Sequence, residues 1–189
     1  MKIIQTKIKD LYVIQPEIFS DNRGYFFESF NDQKFNKKFS HIKFCQDNES
    51  RSSFGVLRGL HYQLPPKAQT KLVRVINGKV LDVVVDLRKD SSTFGKHLSV
   101  ELCDKNKNQL LIPRGFAHGF IVLSDYAVFS YKVDNYYDKL LDRGIIFNDK
   151  DLGIDWKLKN SEIKLSTKDS KLSTFKKAQL FEISKKLYE

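Results

Sequence analysis

The chain has few cysteines and no long apolar run, and each shortage excludes a class of protein. Its two cysteines, Cys45 and Cys103, build neither a disulfide framework nor a paired-cysteine metal site. No stretch approaches the roughly 18–20 consecutive apolar residues that a membrane-spanning helix needs. The first ten residues also lack the apolar core of a signal peptide. We therefore expect a soluble, cytoplasmic protein with no membrane partner.

The chain is strongly positive, but the distribution of its charge does not indicate a nucleic-acid binder. Among 189 residues, 33 are lysine or arginine and 23 are aspartate or glutamate, which gives a formal net charge of +10. Half of that excess lies in residues 157–189. Lysines spread over a surface are usually solvated, and the chain has no arginine-rich run or RNA-recognition motif. We expect no nucleic-acid partner.

Short alternating segments separated by turn residues predict an all-β protein. In residues 80–88, apolar side chains occupy every second position, which is typical of a strand with one buried face. Residues 71–76 run into Asn77-Gly78, a strong hairpin signal. The other predicted strands are 97–102, 109–113, 119–123 and 127–133. Short strands at this spacing favour an antiparallel sandwich or barrel.

Helical patterns occur only at the edges of this strand-rich chain. Residues 32–38 fit a short helix, and residues 174–188 fit a C-terminal helix with Thr174 at its N-cap. The sequence shows neither an internal repeat nor a linker. We therefore expect residues 1–189 to form one domain.

Two of the four histidines lie in motifs that indicate a cavity inside the barrel. Residues 113–118 end at His118 in a P-x-G-x-x-H pattern that resembles cupin jelly rolls, in which the histidine points into the barrel. Metal-binding cupins add an H-x-H pair and a glutamate, but the corresponding segment here reads H-Y-Q from His61. Because a ligand is missing, we expect no metal ion. His41 and His97 lie in no motif and are expected to be surface or structural residues.

Tyr131 and His61 each admit two interpretations. Tyr131 shares a strand face with Ala127, Phe129 and Val133, so its side chain is expected to point inward. It is either a core tyrosine with a backbone partner or a proton donor that projects into a cavity. His61 alone is likewise either a structural histidine or a catalytic base.

Long, ordered motifs connect the chain to a known enzyme family. They are, in chain order, 21–28 (DNRGYFFE), 46–50 (QDNES), 55–63 (GVLRGLHYQ), 69–75 (QTKLVRV), 130–132 (SYK), 148–149 (ND), 154–156 (IDW) and 165–169 (LSTKD). The series resembles the nucleotide-sugar 3,5-epimerases typified by dTDP-4-dehydrorhamnose 3,5-epimerase, in register from about residue 2 to residue 170. Residues 171–189, the expected helical extension, fall outside the resemblance.

The resemblance implies a jelly-roll homodimer that acts, without metal or cofactor, on a 4-keto sugar attached to a nucleoside diphosphate. Such a reaction needs a base, an acid on the opposite face of the sugar, and a cation or donor near the carbonyl. By the family pattern, His61 removes the proton from C3 or C5 and Asp169 orients the imidazole. Tyr131 returns a proton from the other side, and Lys71 stabilises the enolate at C4.

The remaining motif residues are implied to bind the substrate. Arg23 and Arg58 match the family's diphosphate contacts, and guanidinium groups suit phosphate oxygens. His118 matches a sugar or phosphate contact rather than a metal ligand. The other matching positions are Phe26, Glu28, Gln46, Asn48, Tyr137 and Lys168. The N-terminal members of this set are implied to reach the site of the partner subunit.

Departures from the family pattern near residue 140 leave the substrate open. The family usually has a Pro-Glu pair where this chain has Lys139-Leu140, and a glutamate where it has the shorter Asp142. Asp142 is also expected to bind the substrate, through a contact that its shorter side chain alters. The default substrate is dTDP-4-dehydro-6-deoxy-D-glucose, in deoxysugar biosynthesis for surface polysaccharide. The alternatives within the class are a GDP-linked 4-keto hexose or heptose for capsule or lipopolysaccharide, and inversion at C3 alone. The alternative of another class is a sugar-binding or metal-dependent cupin.

Overall fold

The structure is a computed structural model that describes residues 1–182 and 184–188, and within that part the chain is mostly β-strand. The strands are β1 (Lys2–Gln5), β2 (Tyr12–Gln15), β3 (Phe19–Asp21), β4 (Gly24–Phe26), β5 (Gln46–Ser53), β6 (Leu57–Gln63), β7 (Lys71–Asn77), β8 (Lys79–Asp86), β9 (His97–Cys103), β10 (Gln109–Ile112), β11 (Phe116–Val122), β12 (Tyr126–Val133) and β13 (Asp142–Gly144). Helix α1 spans Asp32–Phe39, and short 3₁₀ turns span Asn160–Glu162, Asp169–Lys171, Phe175–Lys177 and Ser184–Tyr188.

Two antiparallel sheets pack face to face, and the chain passes repeatedly from one to the other. The first sheet has the order β1-β2-β10-β7-β12-β5, and the second has the order β13-β6-β11-β8-β9. Apolar side chains from both sheets, such as Val73, Val84 and Leu110, fill the space between them. This arrangement confirms the predicted all-β jelly roll.

Strand β8 is buried on both faces, whereas the sequence pattern predicted one buried face. Leu81 and Val83 pack against the C-terminal part of the chain, and Val84 packs between the sheets. Asp82 and Asp86 are fully buried as well. The prediction of a solvent-exposed face was wrong because it relied on the two aspartates, which are usually exposed. Here both carboxylates are buried and form hydrogen bonds with polar partners inside the fold.

Among the described residues of 174–188, which exclude Ile183, the C-terminal segment forms two short 3₁₀ turns in place of the predicted helix. The Phe181 N–H donates to the Leu87 carbonyl at 3.1 Å, and the Lys89 N–H donates to the Phe181 carbonyl at 2.8 Å. These bonds to the residues just after β8 replace the bonds that a helix would make. Phe181 and Leu187 are buried against the outer face of the second sheet, so tertiary packing decides the conformation of this segment.

Helix α1 matches the predicted helix at residues 32–38 and covers the outer face of the first sheet. The Asn31 side chain caps its N-terminus by accepting the Lys34 N–H at 3.0 Å. Phe35 and Phe39 are buried in the apolar cluster beneath it. Among the described residues, no helix combines the length and the apolar content needed to span a membrane.

Strands β3 and β4 form a separate two-stranded hairpin that displays apolar side chains to solvent. Phe19, Tyr25 and Phe26 have exposed fractions of 56%, 59% and 66%. Exposed aromatic side chains this close together are typical of a surface that another molecule covers.

Candidate active site

A cavity of about 590 Å³ opens between the two sheets and contains most of the polar residues that the sequence singled out. Its walls come from β5, β6, β7, β11 and β12 and from residues 164–169. Phe120 and Phe129 form an apolar part of the wall, with their rings stacked at 4.1 Å between centroids. Polar groups that converge over apolar surface are typical of a small-molecule site.

Close approach of β6 and β11 brings two histidines to the same wall. The strand register pairs His61 with His118, and both line the cavity. Gly59 has a φ of +133°, and a Cβ atom there would lie 2.5 Å from the Cα of Gly119. Glycine is therefore required at residue 59 for the strands to approach this closely.

His61 is paired with a buried carboxylate. Its Nε2 atom lies 2.6 Å from Oδ1 of Asp169, which is 5% exposed. Burial raises the pKa of the Asp169 carboxyl, but the hydrogen bond and charge of His61 and a contact with Ser166 outweigh burial, so the pKa is lowered. An ionised carboxylate only accepts hydrogen bonds, so Nε2 carries the proton. Nδ1 then keeps the lone pair that a base requires.

His118 forms a second histidine–carboxylate pair, with Asp82 of β8. Its Nε2 atom lies 3.0 Å and 2.9 Å from the two carboxylate oxygens, and both side chains are buried. Desolvation lowers the pKa of His118 against the opposing effect of Asp82, and the charges of Lys71 and His61 lower it further. Asp82 was not among the predicted site residues, because only the pairing of β8 with β11 brings it beside His118.

Lys71 places an amine with an unusually low pKa in the cavity. It is the first residue of β7 and lies in the cavity wall. Desolvation lowers the pKa of Lys71 to about 8, against the opposing charges of Asp142 and Asp82. A lysine in this state is still mostly protonated at neutral pH and can donate a proton or a hydrogen bond.

Tyr131 lies in the cavity wall rather than wholly within the core. Its ring packs beside Phe129 at 6.2 Å between centroids. Burial raises the pKa of Tyr131, and the charge of Arg58 offsets only part of that rise. The phenol therefore remains protonated at neutral pH, as a proton donor must.

The two sheets place His61 and Tyr131 on facing walls. His61 belongs to β6 in the second sheet, and Tyr131 belongs to β12 in the first. Lys71, on β7, is in the same sheet as Tyr131. A flat ligand between the sheets would consequently meet a histidine on one side and a phenol and an amine on the other.

Further predicted contacts lie at the edge strand β5 and beside it. Arg58 lines the cavity, and its Nε donates to the Ser52 hydroxyl at 3.0 Å. Asn48 lines the cavity too and accepts a hydrogen bond from Gln46 at 2.7 Å. Gln46 therefore orients Asn48 in this chain and is not itself part of the cavity wall.

Lys168, Asp142 and Tyr137 form one connected group at the cavity rim. The Tyr137 hydroxyl donates to Oδ2 of Asp142 at 2.9 Å, and the Lys168 amine forms an ion pair with the same oxygen. Lys168 lines the cavity. Of these three predicted binding residues, Lys168 is the one that lines the cavity. Asp142 contacts Lys168 directly, and Tyr137 is connected to Lys168 through the Asp142 carboxylate.

The structure does not bring Arg23, Phe26 or Glu28 into the cavity of the same chain. Arg23 lies on the exposed hairpin, where it forms an ion pair with Asp21 at 2.6 Å. Phe26 lies on the same hairpin, and Glu28 is hydrogen-bonded at the start of α1 to Asn31 and Lys34. All three therefore lie outside the cavity of their own chain.

The cavity wall also contains residues that the sequence analysis did not select. Lys164 lines the rim, and Ser50 lines the β5 side. The Ser50 hydroxyl is buried and has no hydrogen-bond partner among the described residues. The alternation Gln46, Asn48, Ser50, Ser52 on β5 was the signal for Ser50, since these side chains share one strand face. In residues 1–182 and 184–188, no cluster of three or more histidine, cysteine or acidic side chains is arranged to hold a metal ion.

Comparisons with known proteins agree with one another over nearly the whole chain. The sequence profile for dTDP-4-dehydrorhamnose 3,5-epimerase matches residues 5–177. A dTDP-4-dehydrorhamnose 3,5-epimerase from Shigella flexneri is 50% identical over 182 residues, which are 96% of this chain and 99% of that one.

Two solved structures are similar in both sequence and fold. The crystal structure of dTDP-4-dehydrorhamnose 3,5-epimerase from Elizabethkingia anophelis NUHP1 is 52% identical, with a TM-score of 0.88 over 93% of this chain and 97% of that one. The dTDP-6-deoxy-D-glucose-3,5-epimerase of Legionella pneumophila Philadelphia 1, in complex with dTDP-4-keto-L-rhamnose, is 44% identical, with a TM-score of 0.91 over 96% and 98% of the two chains. The residues matched by the profile include all the cavity residues described above.

Proposed function

The chain belongs to the dTDP-4-dehydrorhamnose 3,5-epimerase family, and on that premise we propose how its cavity carries out the reaction. The protein is an isomerase that acts on a dTDP-linked 4-keto sugar. The protons at C3 and C5 flank the C4 ketone, so loss of either gives an enolate whose charge rests on the C4 oxygen. Reprotonation from the opposite face then inverts the carbon.

His61 is the base in this proposal. Its pairing with Asp169 at 2.6 Å leaves Nδ1 free to accept the proton from carbon. The carboxylate then faces the imidazolium that forms and stabilises its charge. Because one ketone activates both neighbouring carbons, a single base on one wall serves C3 and C5 in turn.

Tyr131 and Lys71 complete the reaction from the facing sheet. The phenol donates its proton to the carbon on the side opposite His61. Before the next inversion, the phenolate takes up a proton and the His61 imidazolium releases one to solvent, so both groups are restored. The Lys71 ammonium stabilises the enolate oxygen at C4. The observation that carries the proposal is the placement of the histidine–carboxylate pair and the protonated phenol on opposite walls of one cavity.

Cationic residues at the rim bind the diphosphate. Arg58 presents a guanidinium at the cavity wall, held by Ser52, and guanidinium groups bind phosphate oxygens in two-point contacts. Lys168 and Asn48 lie at the same opening and suit the nucleotide end of the substrate. His118, held by Asp82, contacts the sugar or its first phosphate.

A homodimer supplies the missing contacts. The hairpin β3–β4 displays exposed aromatic side chains and Arg23, all outside the cavity of their own chain. In a two-fold dimer each hairpin reaches the other subunit's cavity and adds a second cation for the diphosphate. Phe26 and Glu28 then contact the nucleotide across the interface. We also propose a cytoplasmic location, since a diphosphate-bearing substrate does not cross a lipid bilayer unaided.

A substrate panel tests the proposal. Purified protein is incubated with dTDP-linked and GDP-linked 4-keto sugars, and product stereochemistry is read by proton NMR. We expect conversion of dTDP-4-dehydro-6-deoxy-D-glucose, and turnover of the GDP-linked sugars alone would contradict the proposed substrate. Full activity in the presence of a metal chelator is expected, whereas activity that disappears on chelation and returns with one divalent ion would indicate a metal-dependent cupin.

A further inference from the structure

The last described residue of the chain contacts the residue that precedes a proposed catalytic lysine. The Tyr188 hydroxyl lies 2.8 Å from Oγ1 of Thr70, the residue that immediately precedes Lys71. The same hydroxyl accepts the Arg114 backbone N–H at 3.1 Å. Because Tyr188 accepts from Arg114, its own proton is available to the threonine oxygen, and Thr70 is fully buried.

Every polar group of Thr70 is engaged in this part of the fold. Its N–H donates to Oδ1 of Asp134 at 2.6 Å, and its carbonyl accepts the Asp134 N–H at 3.3 Å. The Asp134 carboxylate also accepts from Nε of Arg114 at 3.1 Å. Thr70 is thus held at three points, two on Asp134, the residue after β12, and one on Tyr188.

The C-terminal tail is itself held in place by more than one contact. The Arg114 guanidinium donates to the Leu187 carbonyl at 2.6 Å and lies 4.9 Å from the centre of the Tyr188 ring. The His41 ring meets Tyr188 edge-on at 4.9 Å, and Leu187 is buried. The last two described residues, Leu187 and Tyr188, are therefore packed against the segment that leads into β7.

Lys71 directly follows Thr70 in the chain and begins strand β7. There it pairs with Val133 of β12 and Ile112 of β10. If the Thr70 backbone were free to move, Lys71 would move with it. The Lys71 amine must lie within hydrogen-bond distance of the enolate oxygen to stabilise it. Displacement of a catalytic group by about 1 Å costs up to about 100-fold in rate.

We infer that Tyr188 is a positioning residue of this enzyme, which holds Lys71 in its catalytic position through the Thr70 hydroxyl. The inference rests on the proposed role of Lys71 in the reaction. It gives the C-terminal segment, which lies beyond the matched residues 5–177, a part in catalysis.

Kinetics of full-length variants test the inference. Tyr188→Phe removes the hydroxyl and keeps the ring, and Thr70→Val removes the other half of the contact. We expect each to lower kcat by about tenfold with KM unchanged, since an interaction with the enolate acts in the transition state and not on substrate binding. The double variant should lose less than the two single losses combined, because the Tyr188–Thr70 contact is common to both changes. Thr70→Ser keeps the hydroxyl and should retain wild-type kcat.

Matched controls separate positioning from folding. Tyr126→Phe also removes a hydroxyl from β12, where the ring is partly exposed and stacks on Arg51, and it should leave kcat unchanged. A thermal unfolding curve for each variant checks that it is folded at the assay temperature. Rates are then expressed per mole of folded protein. Wild-type kcat in Tyr188→Phe and Thr70→Val, or additive losses in the double variant, would overturn the inference. An inactive wild-type protein would instead overturn the proposed function and the inference together.

Discussion

Nε2 of His61 lies 2.6 Å from Oδ1 of Asp169, and this contact joins strand β6 to a 3₁₀ turn 108 residues further along the chain. The carboxylate is almost fully buried, while the imidazole keeps 28% of its side chain exposed toward the cavity. One partner is therefore fixed by the fold and the other is open to substrate. The pair sets both the orientation and the protonation of the ring.

Replacing Asp169 with asparagine is expected to abolish most of the activity. The side-chain amide can donate to Nε2, which would move the imidazole proton to Nδ1 and remove the base. We expect kcat to fall by about 10²–10⁴, the range found when a histidine base loses its tautomer. Steady-state kinetics on the dTDP-linked sugar measure the loss. A kcat within about twofold of wild type would show that another group is the base.

Asp82→Asn provides the matched comparison at the second histidine pair. It changes a fully buried contact of His118, so we expect it to lower the free energy of unfolding by about 1–3 kcal/mol. Because His118 is proposed to bind and not to remove the proton, kcat should fall less than in Asp169→Asn. Urea unfolding measures the free energy of unfolding of both variants, and steady-state kinetics measure kcat. A larger loss of kcat in the Asp82 variant would reverse the two roles.

Lys71→Met is expected to stabilise the fold while it removes activity. Desolvation lowers the pKa of Lys71 to about 8, so the charged form is less favourable in the fold than in the unfolded chain at neutral pH. Removing the amine should raise the free energy of unfolding by about 1–3 kcal/mol at pH 7 and lower kcat by about 10²–10³.

Lys168→Met is the control for this stability effect. Desolvation lowers the pKa of Lys168, but its contact with Asp142 outweighs that effect, and the pKa is raised overall. Its charge is favoured by the fold, so its removal should not stabilise the protein. Equal stability changes in the two methionine variants would contradict the account of Lys71.

The pH dependence of kcat/KM is expected to show an alkaline limb near pH 8. This quantity reports the free enzyme, in which the pKa of Lys71 is lowered to about 8. The amine is protonated and active below that pH and loses its charge as pH rises through it. In Lys71→Arg the cation persists above pH 12, so the residual activity should lack this limb. The same limb in both proteins would assign it to another group.

Mixed dimers test whether the hairpin serves the partner's site. Arg23→Ala and His61→Asn are each expected to lose most of their kcat/KM at low substrate concentration. If Arg23 acts across the interface, a mixed dimer regains one intact site, and an equilibrated mixture should recover about one quarter of wild-type activity. If mass spectrometry verifies subunit exchange and no activity is recovered, Arg23 does not serve the partner's site: either Arg23 and His61 act within one chain, or they do not belong to the same site.

Much of the jelly roll and of the cavity follows from local sequence patterns. The alternation on β12 correctly predicts that Phe129 and Tyr131 face inward, and the histidine motif places His118 beside the space between the sheets. The β12 prediction succeeds because side-chain direction along a strand alternates with a period of two. The His118 prediction rests instead on the resemblance of its motif to cupin jelly rolls.

Contacts between distant segments were not predictable in the same way. Asp82 looks like a solvent-facing residue until β11 brings His118 beside it. The 174–188 segment has helical spacing, but Phe181 is held by hydrogen bonds to the residues just after β8. Phe175, Ala178 and Phe181 are apolar because all three pack against the second sheet. Both a helix and an irregular segment can place residues at this spacing against a sheet, so the pattern does not distinguish them.

The most direct test of the account is solvent deuterium incorporation. The enzyme is incubated in D₂O with dTDP-4-dehydro-6-deoxy-D-glucose, and the sugar is examined by proton NMR. The account predicts deuterium at both C3 and C5 with inverted configuration, and no incorporation by folded His61→Asn. Folded wild-type protein that leaves both carbons unlabelled, or a His61→Asn variant that labels them at the wild-type rate, would contradict it.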